Sequence, residues 1–97
     1  MVTGANDELG LSEFDLPEVL EILRYEEKGN HARDRGEYDL AREYYAEAVR
    51  ETEQYLNTIE EIRENQDLDP NQENNLEEME NRLNQFEKMV DNQINRL

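Results

Sequence analysis

From Tyr38 to Ile62 an apolar or small residue recurs at every third or fourth position: Tyr38, Ala41, Tyr45, Ala48, Thr52, Tyr55, Ile59 and Ile62. That alternation lasts about four heptads, with Val49 and Leu56 widening the stripe, and it fits a long amphipathic helix with one buried face. A strand would need period two. The helix, expected over about 38–65, is roughly 40 Å long at 1.5 Å rise per residue. The segments on either side of it are expected to pack on its buried face.

Those segments carry matching patterns. A first helix is expected over about 17–35, where Pro17 suits the first turn and Asp15 favours the positive end of the helix dipole. Val19, Leu20, Ile22 and Leu23 form a wide apolar face that narrows to Gly29, Ala32 and Gly36, and Gly36 stops the helix by adopting a left-handed conformation. Gly29, Ala32, Ala41 and Ala48 let the first two helices approach closely, while Tyr38 and Tyr45 fill the space between them. Gln66-Asp67-Leu68-Asp69-Pro70-Asn71 then breaks the pattern, with Asp69 as cap and Pro70 in the first turn of a third helix. That helix, about 71–97, places Leu76, Met79, Leu83, Phe86, Val90, Ile94 and Leu97 on one stripe. The fold class is all-α, an up-down-up three-helix bundle. Residues 1–14, with Gly4 and Gly10 and no helical period, read as a flexible N-terminal tail on which Leu9, Leu11 and Phe14 dock loosely at most.

At 97 residues the chain is one domain with a thin core. Charged residues make up 37% and apolar ones 35%, a balance that would suit a disordered chain if the apolar residues were not so regularly spaced. The net charge of −16 repels nucleic acid and anionic membrane surfaces. Only Lys28 and Lys88 are lysines, and an acid-rich, lysine-poor composition resembles proteins of high-salt organisms, so stability should rise with salt. There is no Cys, and therefore no disulfide or thiolate metal site. The first residues show neither a basic region nor an apolar run, and no stretch approaches the roughly 18 apolar residues of a membrane helix. The expected location is cytoplasmic.

Candidate chemistry is sparse. Asp67, Asp69, Asn71 and Glu78 stand at the calcium-ligand positions of an EF-hand-like loop, but Gln72 replaces the glycine of the bend and Pro70 stiffens it. A capped polar turn is the expectation, with a calcium-binding helix-loop-helix as a minor alternative. His31 lacks the Glu-x-x-His arrangement of a di-metal bundle, because Lys28 stands three residues before it, and it is expected on the surface beside Glu27. Acidic pairs such as Glu43/Glu47 and Glu60/Glu64 read as a solvated face, balanced by helical ion pairs such as Glu47 with Arg50 and Glu78 with Arg82. Ser12 has no glycine-framed nucleophile motif around it. No catalytic residue, cofactor or metal ligand is assigned, and the expectation is not an enzyme.

Gly29, Tyr38, Ala41, Tyr45 and Ala48, with Gly36-Glu37-Tyr38 at the turn, resemble the signature of a tetratricopeptide repeat (TPR) over about 34 residues, Ile22 to Tyr55. No proline closes the repeat near residue 53, and the second helix runs past the usual end. The stretch from Gly36 to Val49 is also similar to the middle of a microtubule-interacting and trafficking (MIT) domain, a three-helix bundle with a long second helix. Either resemblance implies an adaptor that takes a partner peptide or helix in a groove on the first helix, or between the first and third. In the TPR comparison Asn30 matches a carboxylate-gripping asparagine, but Glu26 replaces the lysine. The implied partner is therefore a basic or amphipathic protein segment, met by Leu23, Glu26, Glu27, Asn30 and Arg33. The alternative is an acidic self-assembling or DNA-mimic protein that occupies a basic partner, or a homo-oligomer paired through its heptads.

Overall fold

The computed structural model describes Leu11 and residues 16–97, and the described residues form three helices: α1 (Pro17–Asp34), α2 (Tyr38–Asn65) and α3 (Pro70–Asn95). They make an all-helical, up-down-up bundle of 48 × 28 × 19 Å. α2 packs against both of the others and is the central member.

Each helix boundary has a local cause. Pro17 opens α1 after an extended Leu16 that supplies no side-chain cap; the expected role of Asp15 lies outside the described residues. The helix stops at Arg35, and Gly36 follows at φ 78°. The Gly36 N–H donates to the Arg33 carbonyl at 2.9 Å and the Glu37 N–H to the Ala32 carbonyl at 2.9 Å, the paired bonds of a Schellman turn. α3 begins with a capping box: Asp69 Oδ1 accepts from the Gln72 N–H at 2.8 Å, and Gln72 Oε1 accepts from the Asp69 N–H at 3.1 Å.

The core follows the helical period. Val19, Ile22 and Ala32 enter it from α1, Ala41, Tyr45, Ala48 and Ile59 from α2, and Met79, Leu83, Phe86 and Val90 from α3. Gly29 lies against the Tyr45 ring so closely that a Cβ added there would sit 2.6 Å from Tyr45 Cδ1 and Cε1. The buried Tyr45 hydroxyl donates to Asn30 Oδ1, which joins α1 to α2 at the same level. Thr52, also fully buried, satisfies its hydroxyl by donating to the Ala48 carbonyl at 2.7 Å.

Two expectations are corrected here. Tyr38 does not fill the α1–α2 space; it is 52% exposed. It is the first residue of α2, its Cβ leans toward the N-terminal end of the helix, and α1 has already stopped at Asp34, so no helix lies against it. Of the tail expected over 1–14, only Leu11 is described, and it does not dock loosely: it is fully buried within the core cluster. The remainder of that expectation lies outside the described residues.

At the far end of the hairpin, Arg63 joins α2 to α3. Its Nη2 is 3.0 Å from Glu73 Oε1 and its Nη1 is 3.0 Å from Glu80 Oε1. Among the described residues no helix is long and apolar enough to cross a membrane.

Candidate docking face between α1 and α2

A second pair of stripes flanks the apolar ones. On α1 it runs Glu18, Glu21, Tyr25, Lys28, and on α2 Tyr44, Glu47, Glu51, Tyr55, Thr58, both at spacings of three and four residues. The antiparallel packing of α1 on α2 sets these stripes side by side at the rim of the core. Glu18, Glu21, Glu51, Gln54, Tyr55 and Thr58 line an open groove of about 180 Å³. Among the described residues, none of Glu18, Glu21 and Glu51 is in a contact ion pair, so the groove gathers three carboxylates around one phenol ring, with Arg50 acting on Glu51 from a distance.

The tyrosines report that field. Burial pushes the Tyr55 phenol above its usual range, and the Glu18 carboxylate adds to the shift. The Tyr25 phenol is raised by the removal of water and then by Glu21, Glu47 and Glu51, with Arg50 opposing. Arg50 is itself hydrogen-bonded to Glu47. Lys28 is also on this face: its Nζ lies 5.8 Å from the centre of the Tyr25 ring on α1 and 5.8 Å from that of Tyr44 on α2. Both distances are within cation–π range.

The residues expected to meet a partner are divided by the fold. Leu23, Glu27 and Arg33 are half-buried, and Arg33 pairs with Asp34 at 3.3 Å. Glu26 and Asn30 point inward, at 1% and 8% exposure, and this corrects their assignment to an open groove. Asn30 is bonded to Tyr45, and Glu26 Oε2 accepts from Gln93 Nε2 of α3 at 3.4 Å. The reason is rotational: a helix that turns Gly29 onto Tyr45 carries Asn30 and Glu26 to the inner side as well.

The remaining candidates are resolved by their neighbours. His31 is exposed and, among the described residues, forms no ion pair with Glu27. In the α2–α3 turn Asp69 is engaged in its capping box and Glu78 is paired with Arg82. Among the described residues no group of three or more His, Cys, Asp or Glu is placed to hold a metal ion. A shallow recess of about 240 Å³ at the same end is lined by Ile62, Leu68, Gln72, Asn75 and Leu76, with no charged group.

Glu18, Glu21, Glu51, Tyr25, Tyr44 and Tyr55 do not stand out in the apolar pattern as a docking face, because they lie to the side of its centre. The signal that finds them is the second 3–4 period, acid and aromatic instead of aliphatic. Comparison with protein-family models, with curated proteins and with solved structures found no match. The class of the molecule is that of an acidic, all-helical three-helix bundle.

Proposed function

We propose that this chain is a small helical adaptor that takes a basic or amphipathic segment of another protein along the groove between α1 and α2. The observation that carries the proposal is the set of unpaired carboxylates, Glu18, Glu21 and Glu51, gathered around Tyr55 in an open groove. An arginine or lysine side chain entering there gains both charge and ring contact, and the aliphatic part of that side chain covers apolar surface. The resemblance of Gly29–Ala48 to a TPR, and of Gly36–Val49 to the middle of an MIT domain, supports the same reading, since those families engage peptides or helices between their helices. The seat differs from the one that resemblance implies, because Glu26 and Asn30 are committed to the interior.

The test must separate this groove from a general attraction of polycations to a chain of net charge −16. Glu21→Gln with Glu51→Gln removes two charges from the groove. Glu60→Gln with Glu64→Gln removes two from the exposed end of α2, leaving the same net charge. Binding of a synthetic helical peptide carrying arginines at positions i, i+3 and i+7, followed by calorimetry at fixed ionic strength, should weaken about tenfold for the first pair and by less than about twofold for the second. Equal losses for both pairs would leave only non-specific attraction. Sedimentation of the free chain tests the alternative: a self-associating species whose assembly hides α1 and α2 would replace the adaptor reading.

A further inference from the structure

We infer that Lys28 is an internal occupant of the docking face, a tethered cation that a partner's basic side chain must displace. The inference rests on the groove reading above and adds to it the chemistry and competition of a second seat. The Lys28 geometry is a separate observation from the groove lining, and Glu21 and Glu51 act at both seats. The Lys28 Nζ sits 5.8 Å from two ring centres that belong to different helices, Tyr25 of α1 and Tyr44 of α2. Glu47 and Glu51 act electrostatically on that same Tyr25 ring, as does Glu21. The seat therefore combines two ring faces with surrounding negative charge, the arrangement that favours an ammonium or guanidinium group.

The position of the seat also fixes the spacing of a partner. Lys28 lies seven residues, about two turns, beyond Glu21 on α1, and Tyr44 lies eleven residues before Tyr55 on α2, so the two seats are about 10–16 Å apart along the bundle at 1.5 Å per residue. A helical ligand with cations two to three turns apart on one face reaches both at once. The groove at Glu18, Glu21 and Glu51 holds no cation from the described chain, whereas the Tyr25–Tyr44 seat holds Lys28. One seat is thus open and the other is filled from within, and affinity is held down by the competition. A loss of Lys28 from the chain, by substitution or by lysine acetylation, would release the second seat.

Because only Lys28 and Lys88 are lysines, the chain contains its own control. Lys28→Gln and Lys88→Gln change the net charge equally, but Lys88 is on α3. With the same arginine peptide, Lys28→Gln should tighten binding about three- to tenfold more than Lys88→Gln, and Lys28→Arg should keep parental affinity. Equal effects of the two Gln variants, or weaker binding by Lys28→Gln, would overturn the inference and leave the groove standing if the Glu21/Glu51 pair still weakens binding. A direct readout needs no peptide: in proton NMR of the free chain the Lys28 ε-methylene should be shifted upfield of that of Lys88 by the two rings. Coincident resonances would also overturn the inference.

Discussion

Replacing Gly29 by Ala tests the contact on which the packing of α1 against α2 depends. On helix propensity alone the change should stabilise the chain by about 0.8–1 kcal/mol, because α1 runs from Pro17 to Asp34 and Gly29 lies well inside it. Steric overlap opposes that gain and exceeds it. The new methyl carbon would stand 2.6 Å from both Tyr45 Cδ1 and Cε1 and 3.1 Å from Cζ, against an ordinary contact of about 3.5 Å or more. Relief requires a shift of close to 1 Å. The ring is poorly placed to give it, since Tyr45 is fully buried and its hydroxyl is held by Asn30. Overpacking of this kind costs about 1–3 kcal/mol, and a clash with a ring anchored at both ends belongs near the top of that range. The net expectation is destabilisation by about 2 kcal/mol, a fall in Tm of roughly 8–16 °C for a domain of this size. Thermal melts followed by far-UV circular dichroism at one salt concentration measure it. Gly36→Ala is the companion: nothing lies within 4 Å of its Cβ position, but φ is 78°, so its cost of about 1 kcal/mol comes from the backbone alone. In a Tyr45→Leu background, where the ring is gone, Gly29→Ala should cost much less. A Gly29→Ala variant that melts at or above the parent, or costs as much without the Tyr45 ring, would refute the reasoning.

Other perturbations read other parts of the bundle. Burial, the neighbouring Glu53 carboxylate and Asp91 raise the Glu87 carboxyl above its ordinary value. A raised folded value means stability that is complete below the ordinary carboxyl range and lost as pH rises through the folded value, so Glu87→Gln should match the parent near about pH 4 and exceed it near about pH 7 in paired denaturation curves. Truncating Arg63 to Ala removes its bonds to Glu73 and Glu80, and it should lower the urea midpoint clearly at low salt and much less at molar salt. The parental Tm itself should rise with sodium chloride, because a chain of net charge −16 repels itself and the Debye length falls from about 8 Å to about 3 Å between 0.15 and 1 M. An unchanged Tm across that range would remove the high-salt interpretation.

Much of the fold is legible in the sequence because it depends on period and punctuation. The recurrence from Ala41 to Ile59 and from Met79 to Val90 identifies the inner faces, and Gly36, Asp69 and Pro70 mark the turns by properties each residue carries by itself. What the pattern does not supply is rotation and overlap. Whether Tyr38 is covered depends on where α1 stops, and whether Glu26 faces water depends on how Gly29 seats against Tyr45. Neither follows from spacing along one helix. Leu11 escapes the pattern for a related reason, since Leu9, Leu11 and Phe14 do not sustain a helical period, and only tertiary packing reveals the burial of Leu11. The proposed docking face is hidden most deeply: its tyrosines and glutamates are drawn from two helices, and they form a surface only after the helices have packed.

The first helix has 18 residues and the second 28, and the groove at Glu18 and Thr58 marks where the shorter one begins. Past that level, among the described helices, α2 and α3 continue as a fork joined by Arg63. Its amides should exchange with deuterium ahead of those in the Tyr45 layer, and proteases should nick its tip first. The fork also offers a way to lengthen the protein, because one added heptad on each prong would extend the tip while leaving the Gly29–Tyr45 contact and the proposed docking face in place.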